Sequence, residues 1–258
     1  MLKRIALSLT FTLTLGLISL GAHAQNQFKV LLFSKTAGFH HESINEGVTA
    51  VRKLGTRHHF GVDWHEDASI FNDDRLAQYQ AIIFLCTTGD ILNDEQQAAM
   101  ERFIRSGKGF VGIHSASDTE YDWDWYTKMV GRTFHIHPLI QTAELTVTNR
   151  KFPGLERMPD RFLWTDEWYE FGAERIKGLN YILTLDADTF DPTANWGVKK
   201  NESKDKSRPI AWYHDYDGGR AFYTALGHVP ATFSDPLFLE HIYGGVYWAA
   251  TGKGLRKK

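Results

Sequence analysis

Four stretches of the 258-residue chain concentrate side chains that could do chemistry. Residues 38–42 (GFHHE) hold His40, His41 and Glu42 in a glycine-led turn. Residues 109–118 (GFVGIHSASD) end an apolar run on His114 and Ser115, with Asp118, Glu120 and Asp122 close behind. Residues 134–138 (FHIHP) carry His135 and His137, and residues 164–169 (WTDEWY) bracket Asp166 and Glu167 with aromatics; His228 follows in ALGHVP. Histidines beside carboxylates suit proton transfer near neutral pH, or the binding of a borderline divalent cation such as zinc.

Each cluster also has a plainer reading. In an extended segment His135 and His137 project to the same side, as two ligands of one metal would require. A hydrogen-bonded turn ahead of Pro138 explains the pair equally well. Asp166 or Glu167 could act as general acid or base if burial raises its carboxyl, with Trp164, Trp168 and Tyr169 closing the site and offering a stacking face to a pyranose. Solvated acids at the end of an element are the alternative. Trp123 and Trp125 read as a ligand platform or as packing. His114 occupies the corner where many α/β enzymes place a nucleophile, and Ser115 lies one residue past it. His58, His59, His65, His214 and His241 lack an acidic or glycine-rich strand-end setting and read as surface or packing residues.

The elements that must position these residues follow from periodicity. FKVLLFS, FGVDW, AIIFLC and GFVGIH read as four strands. Ser43-x-x-Glu46 reads as a capping box opening one helix, and Asn93 caps another that closes at Gly107. Such alternation implies right-handed crossovers and a parallel sheet, whose ligands bind beyond the carboxyl ends of the strands. The candidate residues sit there. The second half differs: AELTVT and NYILTL alternate, residues 209–228 form a hairpin about Asp217-Gly218-Gly219, and Asp235-Pro236 starts a closing helix.

Residues 1–24 place Lys3 and Arg4 before an apolar run and end on Ala22-His23-Ala24, the pattern of a secretory signal cleaved before Gln25. The apolar run is short for a membrane anchor. A mature protein of residues 25–258, with no membrane association after cleavage, is expected in the periplasm or outside the cell. Its single cysteine, Cys86, permits no internal disulfide and reads as a core residue. A net charge of −2 without a basic stripe argues against nucleic acid as a partner. The 12 His, 8 Trp and 10 Tyr are the compositional mark, and such aromatics suit sugars.

Taken in order, VLLFSKTAGFHHESI, GKGFVGIHSASD, FHIHP, DEWYEF and GRAFYTALGH resemble the ThuA-like, trehalose-utilisation family across about residues 28–250. The resemblance implies a single domain of the class I glutamine amidotransferase-like superfamily. That fold is an α/β, flavodoxin-like three-layer sandwich with a mostly parallel sheet. True amidotransferases carry Cys where this chain carries His114, so glutaminase activity should be absent. The family also implies carbohydrate catabolism, acting on trehalose-like disaccharides or their 3-keto forms, and puts His40, His114, Asp118, His135, His137, Glu167 and His228 near the pocket. The expectation is a sugar-active enzyme whose partner is a small carbohydrate. In it His114, Glu167, Asp118 and His228 do acid–base work, His40, Trp123, Trp164, Trp168 and Tyr169 bind substrate, and a divalent metal sits at His135 and His137. A non-catalytic periplasmic sugar-binding module and a serine hydrolase using Ser115 are the alternatives.

Overall fold

The computed structural model describes residues 26–201 and 203–254, so the expected leader lies outside the described residues. The parallel half is built from β1 (Lys29–Phe33), α1 (Ile44–His58), β2 (Gly61–His65), α2 (Asp73–Leu76), β3 (Ala81–Leu85), α3 (Asp94–Arg105) and β4 (Gly109–Ile113). The chain continues through α4 (Asp124–Val130), β5 (Phe134–Ile136), β6 (Gln141–Val147), β7 (Arg161–Asp166), β8 (Glu170–Phe171) and β9 (Asn180–Asp186). It ends with β10 (Ser207–Tyr216), β11 (Gly219–Thr224) and α5 (Pro236–Thr251). Strands β3 and β4 are buried along their whole length, as continuous apolar runs covered by helices on both faces should be.

Nine strands form one sheet in the order β2-β1-β3-β4-β11-β10-β9-β6-β7, and β5 pairs with β8 in a separate ribbon. The first five are parallel neighbours, in the doubly wound order of flavodoxin-like folds. The remaining pairings are antiparallel. The expected hairpin therefore does more than decorate the fold. Its turn takes positive φ at Asp217 (45°) and Gly218 (87°), and its second strand, β11, runs beside β4 in the middle of the sheet. Among the described residues, no helix is long and apolar enough to cross a membrane.

Helix α5 starts as expected, with the Asp235 carboxylate accepting from the Leu237 and Phe238 N–H groups, and it closes on left-handed Gly252. It lies so close to the sheet that a Cβ on Gly109 would stand 2.1 Å from the Ala249 carbonyl oxygen, and one on Gly245 would stand 2.3 Å from the Phe222 ring. Helix α3 carries the expected cap, Asn93 and Gln96 bonding each other's backbone N–H groups. The capping box expected at Ser43 does not form. Ser43 is in helical geometry and makes no side-chain cap; its hydroxyl donates instead to the Gly227 carbonyl oxygen at 2.7 Å. A long-range contact outcompetes the local one, and it ties the start of α1 to the loop after β11.

His241 is the packing residue expected, but an expensive one. It is fully buried in α5 beside Phe222 and Phe238, neither ring nitrogen has a hydrogen-bond partner, and burial pushes its pKa down from 6.5 to about 3. Below pH 6.5 the unfolded chain takes up a proton here that the folded chain refuses until about pH 3. Stability therefore declines as the pH drops through that window, by up to about 1.4 kcal/mol per unit. His241→Leu is expected to raise stability by about 1–3 kcal/mol at pH 8 and by more at pH 5. Urea midpoints at the two pH values check this, and an equal gain at both would contradict it.

Candidate active site

Where β4 ends, His114 takes a φ of 53°, a left-handed conformation that a residue with a side chain adopts only at a cost. This is the sharp corner expected from the sequence. What holds it is a 2.8 Å hydrogen bond between His114 Nδ1 and the Ala225 carbonyl oxygen, delivered by the β4–β11 register that sets Thr224 beside Ile113. A carbonyl only accepts, so Nδ1 carries the proton and Nε2 faces inward. Nε2 then lies 3.1 Å from the Tyr169 hydroxyl, 3.2 Å from His228 Nδ1 and 3.5 Å from Glu167 Oε2.

Glu167 is the hub. Its Oε2 is 3.2 Å from His228 Nδ1 and its Oε1 is 3.1 Å from His137 Nε2. His41 enters from the loop after β1, its ring edge-on to His114 at 4.6 Å between centroids, with Nδ1 3.3 Å from Ser115 Oγ. One ligand atom from each of His41, His114, Glu167 and His228 lies within 4.8 Å of all the others, a set that could hold a metal ion. The TTGD segment after β3 is scaffolding: Thr88 accepts from the Gly38 N–H, donates to the Phe39 carbonyl and so fixes the loop that carries His41.

Asp166 supports the cluster from beneath. Its Oδ1 accepts from the backbone N–H groups of Glu167, His228 and Val229, at 2.9, 3.1 and 3.3 Å, and its Oδ2 accepts from Gly227 at 2.9 Å. Burial raises its carboxyl, while His114 and the backbone donors pull the other way. Burial would also raise Glu167, but its contacts with His114, His228 and His137 prevail and hold it well below the usual carboxylate range. His41 is pushed down to about 2, first by burial and then by its histidine neighbours, so it stays neutral. Burial opposes the charged form of His228, and Glu167 overcomes this to raise its pKa. Asp118, which accepts from the Tyr121 hydroxyl at 2.6 Å, is raised by burial.

Of the residues expected at the site, His114, Glu167, His228, Tyr169 and His137 come together, and Asp118 is near enough to feel the charges of His114 and His137. Others do not. His40 is exposed and pairs with Thr36, while its neighbour His41 turns inward. His135 bonds the Lys200 carbonyl, so the His135/His137 metal pair is replaced by the set around Glu167. Trp168 is 1% exposed, with its indole N–H on the Gln141 carbonyl, and offers no face to a sugar. Trp164 packs against Phe162 and Phe238, and Trp123 stacks on Trp125 with its N–H on Glu101. Ser115 is fully buried, and Glu120 accepts from the Ile91 and Leu92 N–H groups ahead of α3. Cys86 is a buried core thiol, pushed up to about 12 by burial.

The sheet order and the donors gathered beyond the carboxyl ends of β1, β4 and β11 define a flavodoxin-like α/β protein. The chain belongs to the ThuA family, described as trehalose utilisation, which matches residues 29–249. A ThuA-like protein from Bacteroides uniformis shares 21% identity and a TM-score of 0.71 over 90% of this chain and 94% of its own. One from Parabacteroides merdae shares 18% identity and a TM-score of 0.68 over 90% and 92%. Part of a β-galactosidase from Bacillus circulans sp. alkalophilus has a similar fold, at 15% identity and a TM-score of 0.53 over 88% of this chain and 31% of that one. No protein of curated function matches the sequence.

Asp166→Asn keeps the shape of the side chain but presents an NH2 group to one set of backbone N–H donors. It is expected to lower stability by about 2–4 kcal/mol, because buried donors are left unpaired. Urea denaturation checks this, and a loss under 0.5 kcal/mol would show that the loop holds itself.

Proposed function

We propose that the protein is an enzyme of carbohydrate catabolism that holds a divalent metal ion at His41, His114, Glu167 and His228. Its substrate would be a glycoside such as a trehalose-like disaccharide or its 3-keto derivative. The convergence of those four ligand atoms within 4.8 Å carries the reading, and membership of the trehalose-utilisation family supports the substrate class. Three imidazoles and a carboxylate suit zinc or a similar borderline ion. The backs of two rings are already fixed, His114 by the Ala225 carbonyl and His41 by Ser115, as metal-binding imidazoles require. A bound ion would supply Lewis-acid polarisation of a sugar oxygen.

The protein's own residues would move the proton. With His114 and Glu167 committed to the cluster, Asp118 is the base, its carboxyl raised by burial and oriented by Tyr121. In a 3-keto-glycoside the carbonyl acidifies the C2–H bond. Asp118 takes that proton, the C–H electron pair becomes the C1–C2 double bond, and the C1–O bond breaks with its electrons on the leaving oxygen. That oxygen is then protonated, with the Asp118 carboxyl as the donor. The basic–apolar–small pattern of residues 1–24 supports export of the mature chain to the periplasm. The Ser115–His41 contact of 3.3 Å favours a serine hydrolase only superficially, since Ser115 has no exposed surface.

Tag-free protein is expected to contain about one equivalent of divalent metal by elemental analysis. His114→Ala and Glu167→Gln should lower that content severalfold. Asp118→Asn should keep the metal and lower turnover of 3-keto-trehalose by about 100-fold or more. Full turnover by metal-free protein would overturn the ion, and sugar binding by the unaltered protein without any turnover would identify a binding module. Fluorophosphonate labelling of Ser115 would identify a hydrolase.

A further inference from the structure

The surface around the cluster is unexpectedly apolar. Among the described residues seven large hydrophobic side chains are exposed, and Leu163, on β7, is one of them. Phe39, Tyr121, Ile140 and Trp196 border the site, and Leu139 and Val198 lie in the same loops as two of them. Phe39, 64% exposed, packs edge-on against His41, and Trp196, 47% exposed, packs against His137. Tyr121 bonds Asp118, Leu139 and Ile140 directly follow His137-Pro138, and Val198 belongs to the loop of Trp196.

Where Phe39 and Ile140 approach His228 lies a cavity of about 290 Å³ lined by Phe39, Glu42, Ile140, His228, Val229 and Pro230. His228 is shared: it lines the cavity, and its Nδ1 faces His114 and Glu167 in the donor cluster. A group that fills the cavity therefore lies beside the proposed reacting centre. A leaving sugar would bring several hydroxyl groups, and the cavity answers them with one carboxylate and one imidazole. The remaining walls are an aromatic ring, two aliphatic side chains and a proline. A hydroxyl moved from water into such a lining without a partner is penalised, whereas a flat apolar ring gains by burial. The volume fits one substituted six-membered ring.

We infer that this cavity is the leaving-group subsite and that the protein's range extends beyond disaccharides to glycosides with an apolar, aryl-type aglycone, which it binds more tightly. The inference rests on the reading of the cluster as the reacting centre, but binding tests it independently of turnover. Phenyl glucoside of either anomer, methyl glucoside and trehalose are titrated calorimetrically into the full-length mature protein. The better phenyl anomer is expected to bind about tenfold or more tightly than methyl glucoside and trehalose, the scale of apolar discrimination in a small pocket. Ile140→Ser and Ile140→Asn change an exposed position outside the donor set, so the fold and the metal content should be unaltered. Each should reduce the phenyl preference to twofold or less and leave methyl glucoside affinity unchanged. Equal affinities, absence of phenyl glucoside binding, or a preference that survives both substitutions would overturn the subsite. Failure of the metal or Asp118 experiments would instead overturn the chemistry proposed for the cluster.

Discussion

The site depends on one buried carboxylate that takes no part in the chemistry. Asp166 ends β7, an edge strand at the far end of the sheet from β2, yet it binds four backbone N–H groups, three of them in the loop after central β11. A buried carboxylate is tolerable only when it is so satisfied, and loop N–H groups need an acceptor they cannot find in a ladder. Each solves the other's problem. The result positions two of the four clustered donors at once, Glu167 through its own backbone and His228 through the loop. Ser43 adds a second tie to the same loop through the Gly227 carbonyl, which brings in the helix that follows His41.

The charges around Glu167 explain why such a cluster can exist in a folded chain. Several imidazoles facing one carboxylate cannot all be charged without strong mutual repulsion. The protein divides the roles: burial keeps His41 neutral, and Glu167 stays ionised and favours a proton on His228. Neutral His41 and ionised Glu167 are already in the forms a divalent cation requires, and a bound ion would displace the proton that His228 otherwise favours. The left-handed φ of His114 fits the same pattern of local cost sustained by surrounding contacts, since the Ala225 carbonyl and the β4–β11 register over-determine it.

What could be read from the sequence was whatever local periodicity governs. The strands of the parallel half, the Asn93 and Asp235 caps, the Asp217-Gly218 turn and the His114 corner depend on a few adjacent residues, and they are found where expected. The failures have a common cause. His40 and His41 differ by one position, and the Thr88 contacts that set the loop's orientation come from fifty residues away. His135 and His137 share a side of the strand only if the strand continues, but β5 stops at Ile136 and only His137 reaches Glu167. Trp168 resembled a sugar platform because its burial is decided by the Gln141 carbonyl on another strand. Asp166 drew notice as an acid, but nothing near it in sequence marks the loop at 227–229 as its partner.

The site lies where the two halves of the chain meet, and that division constrains how its specificity can change. The parallel half supplies His41 and His114 from the ends of β1 and β4, held by the packed order of the central strands. Glu167, His228, Tyr169 and His137 come from the second half, where connections are longer and antiparallel edges accept insertion. The apolar rim comes mostly from that half too, through Leu139, Ile140, Trp196 and Val198. Those side chains are exposed and make no contribution to the strand ladders, so they can be exchanged without disturbing Asp166 or the β4–β11 register. A fold whose corner at His114 is fixed by backbone can keep one cluster of donors while the loops that meet the leaving group change.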